Sequence, residues 1–237
     1  MSNQQQEPTK VQIGEFDVDA FKNKALGTFE KNKNIIYGAL LLIVIVIGGL
    51  YAYFFMYQGP REKRAGEEIF RAEYFFSIDS FGLALTGRNL PGQQGNFTGL
   101  LDFIKEYGGT SAGKRAYFMA GAALLQTGKF EDAVKYLNNY SGKDPLMQAQ
   151  VYGMIGDAKS ELNDMDAALK FYLQAADHYP NDVTSPIHIR KAALLQSDVK
   201  KNNAEAVKLL QRLKKDYPQA ASRLAVEKDI IRLGGKD

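Results

Sequence analysis

Two histidines, His178 and His188, are the side chains of this sequence best suited to proton transfer or metal binding near neutral pH. A zinc-binding catalytic helix carries two histidines one turn apart with a glutamate between them, and neither histidine has such a partner. Cysteine is absent, which excludes disulfides, thiolate metal sites and nucleophilic thiols from this sequence. We therefore expect both histidines to be surface or groove residues without a catalytic role.

Two glycine pairs, Gly108–Gly109 and Gly234–Gly235, lack the lysine pattern of a phosphate-binding loop and the fingerprint of a dinucleotide site. We interpret both as helix ends. The net charge of +3 is not concentrated in one region, whereas nucleic-acid binding needs a dense basic stripe with interleaved aromatic residues. The sequence therefore predicts no enzyme activity, cofactor, bound metal, small-molecule substrate or nucleic-acid partner.

An uncharged, apolar segment covers residues 35–57. At about 1.5 Å per residue, a helix of this length can cross a hydrocarbon core of roughly 30 Å. A buried core helix rarely runs so far without a polar face, and a cleaved signal peptide would be shorter and closer to the N-terminus. We predict a transmembrane helix that persists in the mature protein and is ended by Gly59 and Pro60. Aromatic residues typical of membrane interfaces lie at its two ends: Tyr37, Tyr51, Tyr53, Phe54, Phe55 and Tyr57.

Residues 1–34 form the predicted segment before the span, and their first 15 residues have the polar composition of a disordered chain. Apolar residues recur there at helical spacing, at Val18, Phe21, Ala25 and Phe29. This spacing favours a short amphipathic helix on the membrane surface, with a solvated leader as the alternative. Four basic residues flank the span on each side, so charge does not predict its orientation.

Downstream of the span, the sequence repeats with a period of about 34 residues. In the first unit the repeated positions are Tyr117, Gly121, Leu124, Phe130, Ala133, Leu137 and Pro145. In the second unit they are Tyr152, Gly156, Met165, Ala168, Tyr172, Ala175 and Pro180. The third unit keeps Ala193, Ala206, Leu210, Leu213 and Pro218, but has Leu194 in place of the glycine and Asn203 in place of the aromatic residue.

This pattern resembles the tetratricopeptide repeat, a pair of antiparallel helices that stacks on its neighbours. Small residues such as Gly121 and Ala133 would let the paired helices approach closely. Each repeat-end proline lacks a backbone N–H, so we expect it to stop the second helix of its unit. The sequence therefore predicts an all-α fold, with one N-terminal transmembrane helix followed by an α-solenoid of about three tetratricopeptide repeats within residues 61–237.

Less regular regions flank the three repeats. Residues 61–77 and 97–107 are predicted helices, and residues 81–85 imitate the start of another. With a loop over residues 86–96, this region is interpreted as a degenerate repeat that carries an insertion. Residues 222–233 are predicted to form a terminal helix with a polar outer face, because the end of a solenoid needs a cap.

Repeat arrays of this kind bind partners in the concave groove lined by the first helix of each repeat. By analogy with the family, the predicted groove residues are Arg115, Phe118, Ala122, Leu125, Gln150, Gly153, Asp157, Glu161, His188, Lys191, Leu195 and Asp198. These residues have no dominant charge, and the lysines and asparagines with which chaperone adaptors hold a C-terminal carboxylate are missing. The alternative is that several of them only pack between repeats.

The order of parts, a leader with lysines, one span, a basic exit over residues 61–64 and a short repeat domain, resembles the YfgM-like ancillary subunits of the bacterial Sec translocon. The runs at residues 80–81, 106–110 and 155–158 are similar to the Bacteroidetes-type version. This resemblance implies a bacterial inner-membrane protein with a cytoplasmic N-terminus and a periplasmic repeat domain. It also implies two partners, the translocon channel proteins and a membrane-anchored prolyl-isomerase chaperone.

Two functions of different classes are consistent with these features. The first is a tethered scaffold that holds chaperones beside the translocon exit, where emerging chains would meet them at high effective concentration. The second is a cargo receptor or an envelope-assembly factor unrelated to the translocon. Acylated assembly factors are disfavoured because no cysteine is present to carry the lipid.

Overall fold

The computed structural model describes residues 18–87 and 97–235. Contacts divide the chain into two compact units, with the boundary between Tyr57 and Gln58. The described residues form helices and no strand, which confirms the all-α prediction. The predicted disorder over residues 1–15 and most of the loop predicted over residues 86–96 lie outside the described residues.

The N-terminal unit contains helix α1 (Val18–Ala52) and all but the last residue of the π-helix π1 (Tyr53–Gln58). From Leu40 to Tyr57, every large apolar side chain is exposed by half or more. Within the described ranges, one helical stretch is long and apolar enough to cross a membrane, and its apolar window is unburied. Because such exposure is unfavourable in water and favourable in hydrocarbon, the helix is compatible with a single-pass membrane anchor.

The helical backbone extends beyond the predicted span in both directions. The short amphipathic helix predicted from Val18 to Phe29 belongs to the same continuous helix as the apolar segment. The prediction that Gly59 and Pro60 end the helix is wrong, because these residues begin helix α2 (Gly59–Glu68) directly after π1. Proline is well tolerated in the first turn of a helix, where its missing N–H would have no intrahelical acceptor.

The second unit is a series of helices joined by turns. Before the repeats come α2, α3 (Phe70–Ser77), α4 (Phe81–Thr86) and α5 (Leu100–Tyr107). The repeats contain α6 (Ser111–Gln126), α7 (Phe130–Asn138), α8 (Pro145–Glu161), α9 (Met165–His178), α10 (Ser185–Leu194), the π-helix π2 (Leu195–Val199) and α11 (Asn203–Asp216). The described chain closes with α12 (Pro218–Arg223) and α13 (Val226–Arg232).

Consecutive helices pair within each repeat, α6 with α7, α8 with α9 and α10 with α11. In all three pairs, the turn between the helices contains a residue with positive φ: Gly128 (75°), Asn163 (61°) and Lys201 (56°). The residue that follows begins the second helix as its N-cap, and the side chains of Asp164 and Asn202 accept backbone N–H groups there. The chain therefore reverses direction in the same way in each repeat.

Small residues lie where the paired helices approach most closely. A Cβ atom added to Gly121 would be 2.5 Å from Cγ of Leu137, and one added to Gly156 would be 2.7 Å from Cδ1 of Tyr172. Both distances are well inside van der Waals contact, so only glycine fits without displacing the neighbour. The alanines at the facing positions, Ala133, Ala168 and Ala206, have no exposed surface.

The other predicted packing residues have varied surroundings. Tyr117 lies 6.1 Å from Tyr136 between ring centroids, and Tyr152 lies 6.4 Å from Phe171. Phe130 is the first residue of α7, in the position that Met165 and Asn203 occupy in the next two repeats.

Proline does not stop the second helices in the predicted way. Helix α7 ends at Asn138, well before Pro145, which is the first residue of α8. Pro218 is likewise the first residue of α12, and Pro180 lies between α9 and α10. Proline therefore marks helix starts at two of the three repeat ends, because its fixed φ suits the first helical turn.

Two predicted helices are each divided in the structure. Residues 61–77 form α2 and α3, which meet at the buried residue Ile69. The predicted cap over residues 222–233 is formed by α12 and α13, which are separated by Ala225 in the left-handed region with φ of 51°. The buried side chains Val226 and Ile230 of α13 cover the end of the third repeat's core.

We predict that Gly121→Ala lowers the free energy of unfolding by about 1–2 kcal/mol, because overpacking against Leu137 outweighs the better helix propensity of alanine. Denaturant unfolding of the full chain in detergent, followed by circular dichroism, measures this change. Gly66→Ala is the matched control, since a Cβ at this helical glycine meets nothing within 4 Å. The control should raise stability by up to about 1 kcal/mol. Equal effects of the two substitutions would contradict the packing argument.

Candidate functional site

The first helices of the three repeats carry the predicted groove residues. Arg115, Glu161 and Asp198 are exposed, whereas Phe118, Ala122, Leu125, Gln150, Asp157 and Lys191 are partly buried. Gly153, His188 and Leu195 are buried. Most of the predicted groove residues are therefore at least partly accessible, whereas Gly153, His188 and Leu195 are not.

Asp157 and Lys191 connect the second and third repeats. The Nζ atom of Lys191 lies 2.6 Å and 2.9 Å from the two carboxylate oxygens of Asp157. The hydroxyl of Tyr172 donates a hydrogen bond of 2.9 Å to Asp157, and Lys191 Nζ lies 5.6 Å from the centroid of the Tyr172 ring. One residue from each of α8, α9 and α10 therefore meets in a single polar contact.

Burial raises the pKa of the Tyr172 hydroxyl, and the neighbouring Asp157 carboxylate raises it further. Because both influences favour the neutral phenol, Tyr172 remains a hydrogen-bond donor to the carboxylate at physiological pH. The two groove charges of Asp157 and Lys191 are thus satisfied by each other and by the tyrosine. They hold neighbouring repeats together and leave no net charge at this point of the groove.

His188 is not an open groove residue, and the prediction that placed it there is wrong. Its side chain is 8% exposed and packs so closely on Gly153 that a Cβ atom at this glycine would collide with the imidazole ring. Its Nδ1 atom is buried without a hydrogen-bond partner among the described residues. Burial lowers the pKa of His188, and the nearby Lys191 charge lowers it further. His188 is therefore a neutral packing residue.

The residue that sequence reasoning missed in this helix is Ile187, which is 45% exposed. The predicted groove positions of the third repeat were assigned by analogy with the family. Ala206 comes after Ala168 at a longer interval than Ala168 comes after Ala133. The π-helix π2 lies within that interval, so the third repeat does not keep the spacing of the second, and the longer interval is visible in the sequence.

Arg115 and Phe118 lie on α6 at the first repeat. Arg115 forms an ion pair of 3.1 Å with Glu73 of α3, which ties the first repeat to the helices before it. The Phe118 ring lies 6.1 Å from the ring of Tyr140, beyond the end of α7. These contacts leave Arg115 exposed and Phe118 partly exposed on α6.

His178 is exposed and contacts the edge of the Tyr152 ring at a centroid distance of 5.2 Å. Across residues 18–87 and 97–235, no group of three or more histidine, aspartate or glutamate side chains could hold a metal ion. The polar contacts described above pair side chains with one another. The lack of enzyme activity stays a prediction.

We predict a favourable coupling of about 0.5–1 kcal/mol between Asp157 and Lys191, because both side chains are partly shielded from water. The measurement is a double-mutant cycle with Asp157→Asn and Lys191→Met, using denaturant unfolding of the full chain. The control cycle uses Asp102 and Lys105, a pair whose side chains are 65% and 75% exposed compared with 32% and 39% here. A coupling no larger than that of the control pair would contradict the role of this contact.

The buried His188 predicts loss of stability on acidification. The unfolded chain takes up a proton near the ordinary histidine pKa of 6.5, while the folded chain resists it, so stability present above that pH is lost as pH falls through it. The melting temperature of the wild-type chain should therefore fall more steeply between about pH 7 and pH 5 than that of His188→Gln. His178→Gln is the exposed control and should keep the wild-type slope. A His188→Gln slope equal to wild type would refute the assignment.

Comparisons with known families agree with the helix pairs. A tetratricopeptide-repeat model matches residues 114–140 and 149–182, and a second model of the same repeat matches residues 190–220. These matches coincide with α6–α7, α8–α9 and α10–α11. No curated protein and no solved structure has significant similarity to the chain. Residues 114–140, 149–182 and 190–220 are therefore tetratricopeptide repeats.

Proposed function

We propose that the chain is a membrane-anchored scaffold that binds other proteins along the first helices of its repeats. The observation that carries this proposal is the mixed surface of α6 and α8, where Arg115, Phe118 and Gln150 remain accessible on rigidly paired helices. Tetratricopeptide repeats support a protein–protein interaction scaffold, because stacked helix pairs present an extended binding surface. The unburied apolar helix before them would hold this surface at a bilayer.

The more specific proposal is an accessory subunit of the bacterial Sec translocon, with a cytoplasmic N-terminus and a periplasmic repeat domain. The order of its parts and the YfgM-like runs described above support this assignment. A chaperone such as a membrane-anchored prolyl isomerase, held in the groove, would meet emerging chains at an effective concentration set by the tether. The second candidate is a cargo receptor or envelope-assembly factor, favoured by the partly exposed Phe118, which suits direct contact with an unfolded segment.

We predict that a photo-crosslinking amino acid at Gln150 or Ile187 captures protein partners in living cells, because both side chains lie on first helices and are accessible. Translocon channel subunits or a prolyl-isomerase chaperone should be recovered after mild membrane solubilisation. Matched positions on second helices, Glu131 and Lys170, are exposed and should give much weaker adducts. Equal adducts at all four positions, or none from the groove, would contradict the scaffold.

Protease treatment of the same bacterial cells distinguishes the translocon subunit from the cargo receptor or assembly factor. If the repeats are periplasmic, protease added to intact spheroplasts should digest them. Digestion only after rupture of the membrane would place the repeats in the cytoplasm and end the translocon-exit proposal. Groove adducts that contain cargo proteins and no translocon subunit would favour the receptor or assembly factor.

A further inference from the structure

A basic pocket lies between the start of α6 and the turn that connects α7 to α8. Its cavity of about 390 Å³ is lined by Ser111, Lys114, Arg115, Tyr140, Gly142 and Lys143. Three of these six residues carry a positive charge and none is acidic. The pocket is therefore suited to an anion.

The two lysines of this pocket have no ion-pair partner in the described part of the chain. Neither Lys114 nor Lys143 forms an ion pair or a side-chain hydrogen bond within the described ranges. Arg115 differs, because its guanidinium shares the carboxylate of Glu73. Two cations that face one opening without a partner leave a positive potential there.

Two acidic residues near the pocket, Glu62 and Asp144, accept backbone N–H groups. Both carboxylate oxygens of Glu62 accept the backbone N–H of Ser111, at 3.1 Å and 3.0 Å. Asp144 caps α8 by accepting the backbone N–H groups of Leu146 and Met147 at 2.8 Å and 3.3 Å. These carboxylates accept backbone N–H groups at helix N-termini, and neither forms an ion pair with Lys114 or Lys143.

Tyr140 adds a hydrogen-bond donor to the pocket. Its hydroxyl has no hydrogen-bond partner in the described part of the chain, and burial, together with the Asp144 charge, raises its pKa and keeps it protonated. A Cβ atom at Gly142 would collide with this hydroxyl, so glycine is what allows the ring its place. The Tyr140 ring also lies 6.1 Å from the ring of Phe118, which is partly exposed on α6.

We propose that this pocket binds the side-chain carboxylates of an acidic segment in a partner protein. The two free lysines, the Tyr140 hydroxyl and the outer guanidinium edge of Arg115 supply charge-assisted donors for carboxylates. Arg115 and Phe118 continue the same surface along α6, so a polypeptide can place an acidic residue in the pocket and an apolar neighbour on the aromatic pair. This inference rests on the proposed function and specifies the class of its ligand.

The test is fluorescence anisotropy with the full chain in phosphatidylcholine nanodiscs. The probe is a labelled, C-terminally amidated peptide in which glutamate alternates with leucine or phenylalanine. The control peptide has glutamine in place of each glutamate. Amidation removes the terminal carboxylate, so that side-chain carboxylates are the anions tested. The wild-type chain should prefer the acidic peptide, with an affinity that falls as salt rises.

The variant Lys114→Gln with Lys143→Gln should weaken acidic-peptide binding by about tenfold and leave glutamine-peptide binding unchanged. Lys170→Gln with Lys215→Gln removes the same charge from exposed second-helix positions and should change binding by less than about twofold. Tyr140→Phe keeps the ring and removes the hydroxyl, and it should weaken binding of the acidic peptide by about threefold. Unchanged melting temperatures would show that each variant is folded.

If both double lysine variants weaken acidic-peptide binding equally, the effect comes from overall charge and the proposal is overturned. If vesicles of phosphatidylglycerol bind through Lys114 and Lys143 while the acidic peptide does not, the pocket belongs to a lipid surface and the proposal also fails. If Gln150 still captures partner proteins but the double lysine variant binds the acidic peptide as tightly as wild type, only the proposal for the pocket is overturned. In that case the proposed scaffold function would stand.

Discussion

The structure of the repeat region depends on how closely its paired helices can approach. Gly121 faces Leu137 and Gly156 faces Tyr172 at distances that leave no space for a Cβ atom. This approach lets one helix pair bury large side chains such as Leu137 and Ile155 in a shared core between neighbouring repeats. The first helices are thereby fixed side by side, and their outer faces become a surface that a partner protein can bind.

The third repeat lacks this glycine, and its junction with the second repeat combines apolar packing with charged contacts. Asp157–Lys191, Asp166–Lys200 and Asp177–Arg212 each link residues separated by 34 or 35 positions, which is one repeat. Exposed ion pairs contribute little singly, but three of them together with the buried His188 contact specify the register between the two pairs. The chain thus uses apolar packing at one repeat junction and adds polar pairing at the next.

The sequence predicted the elements that follow from strong local patterns and missed those set by tertiary register. Gly121, Gly156 and the facing alanines predicted the helix pairs, because small residues that recur at a fixed period indicate close helix packing. The role predicted for Pro60, Pro145 and Pro218 was wrong, since a residue that cannot continue a helix is also well suited to begin one. His188 is buried because its ring packs against Gly153 of the preceding repeat, and local sequence spacing indicates neither this tertiary contact nor the exposure of Ile187.

The distribution of paired and unpaired charges separates the residues that build the repeats from those available to a partner. Asp157 and Lys191 resemble binding residues in the sequence, but each satisfies the other, so a ligand would have to break their contact before using either. Lys114 and Lys143 were not predicted as groove residues, yet neither forms an ion pair with a carboxylate of the described chain. Charge that the fold leaves uncompensated can attract a ligand without loss of an internal contact, which is why the pocket beside α6 is a stronger candidate for recognition than the centre of the groove.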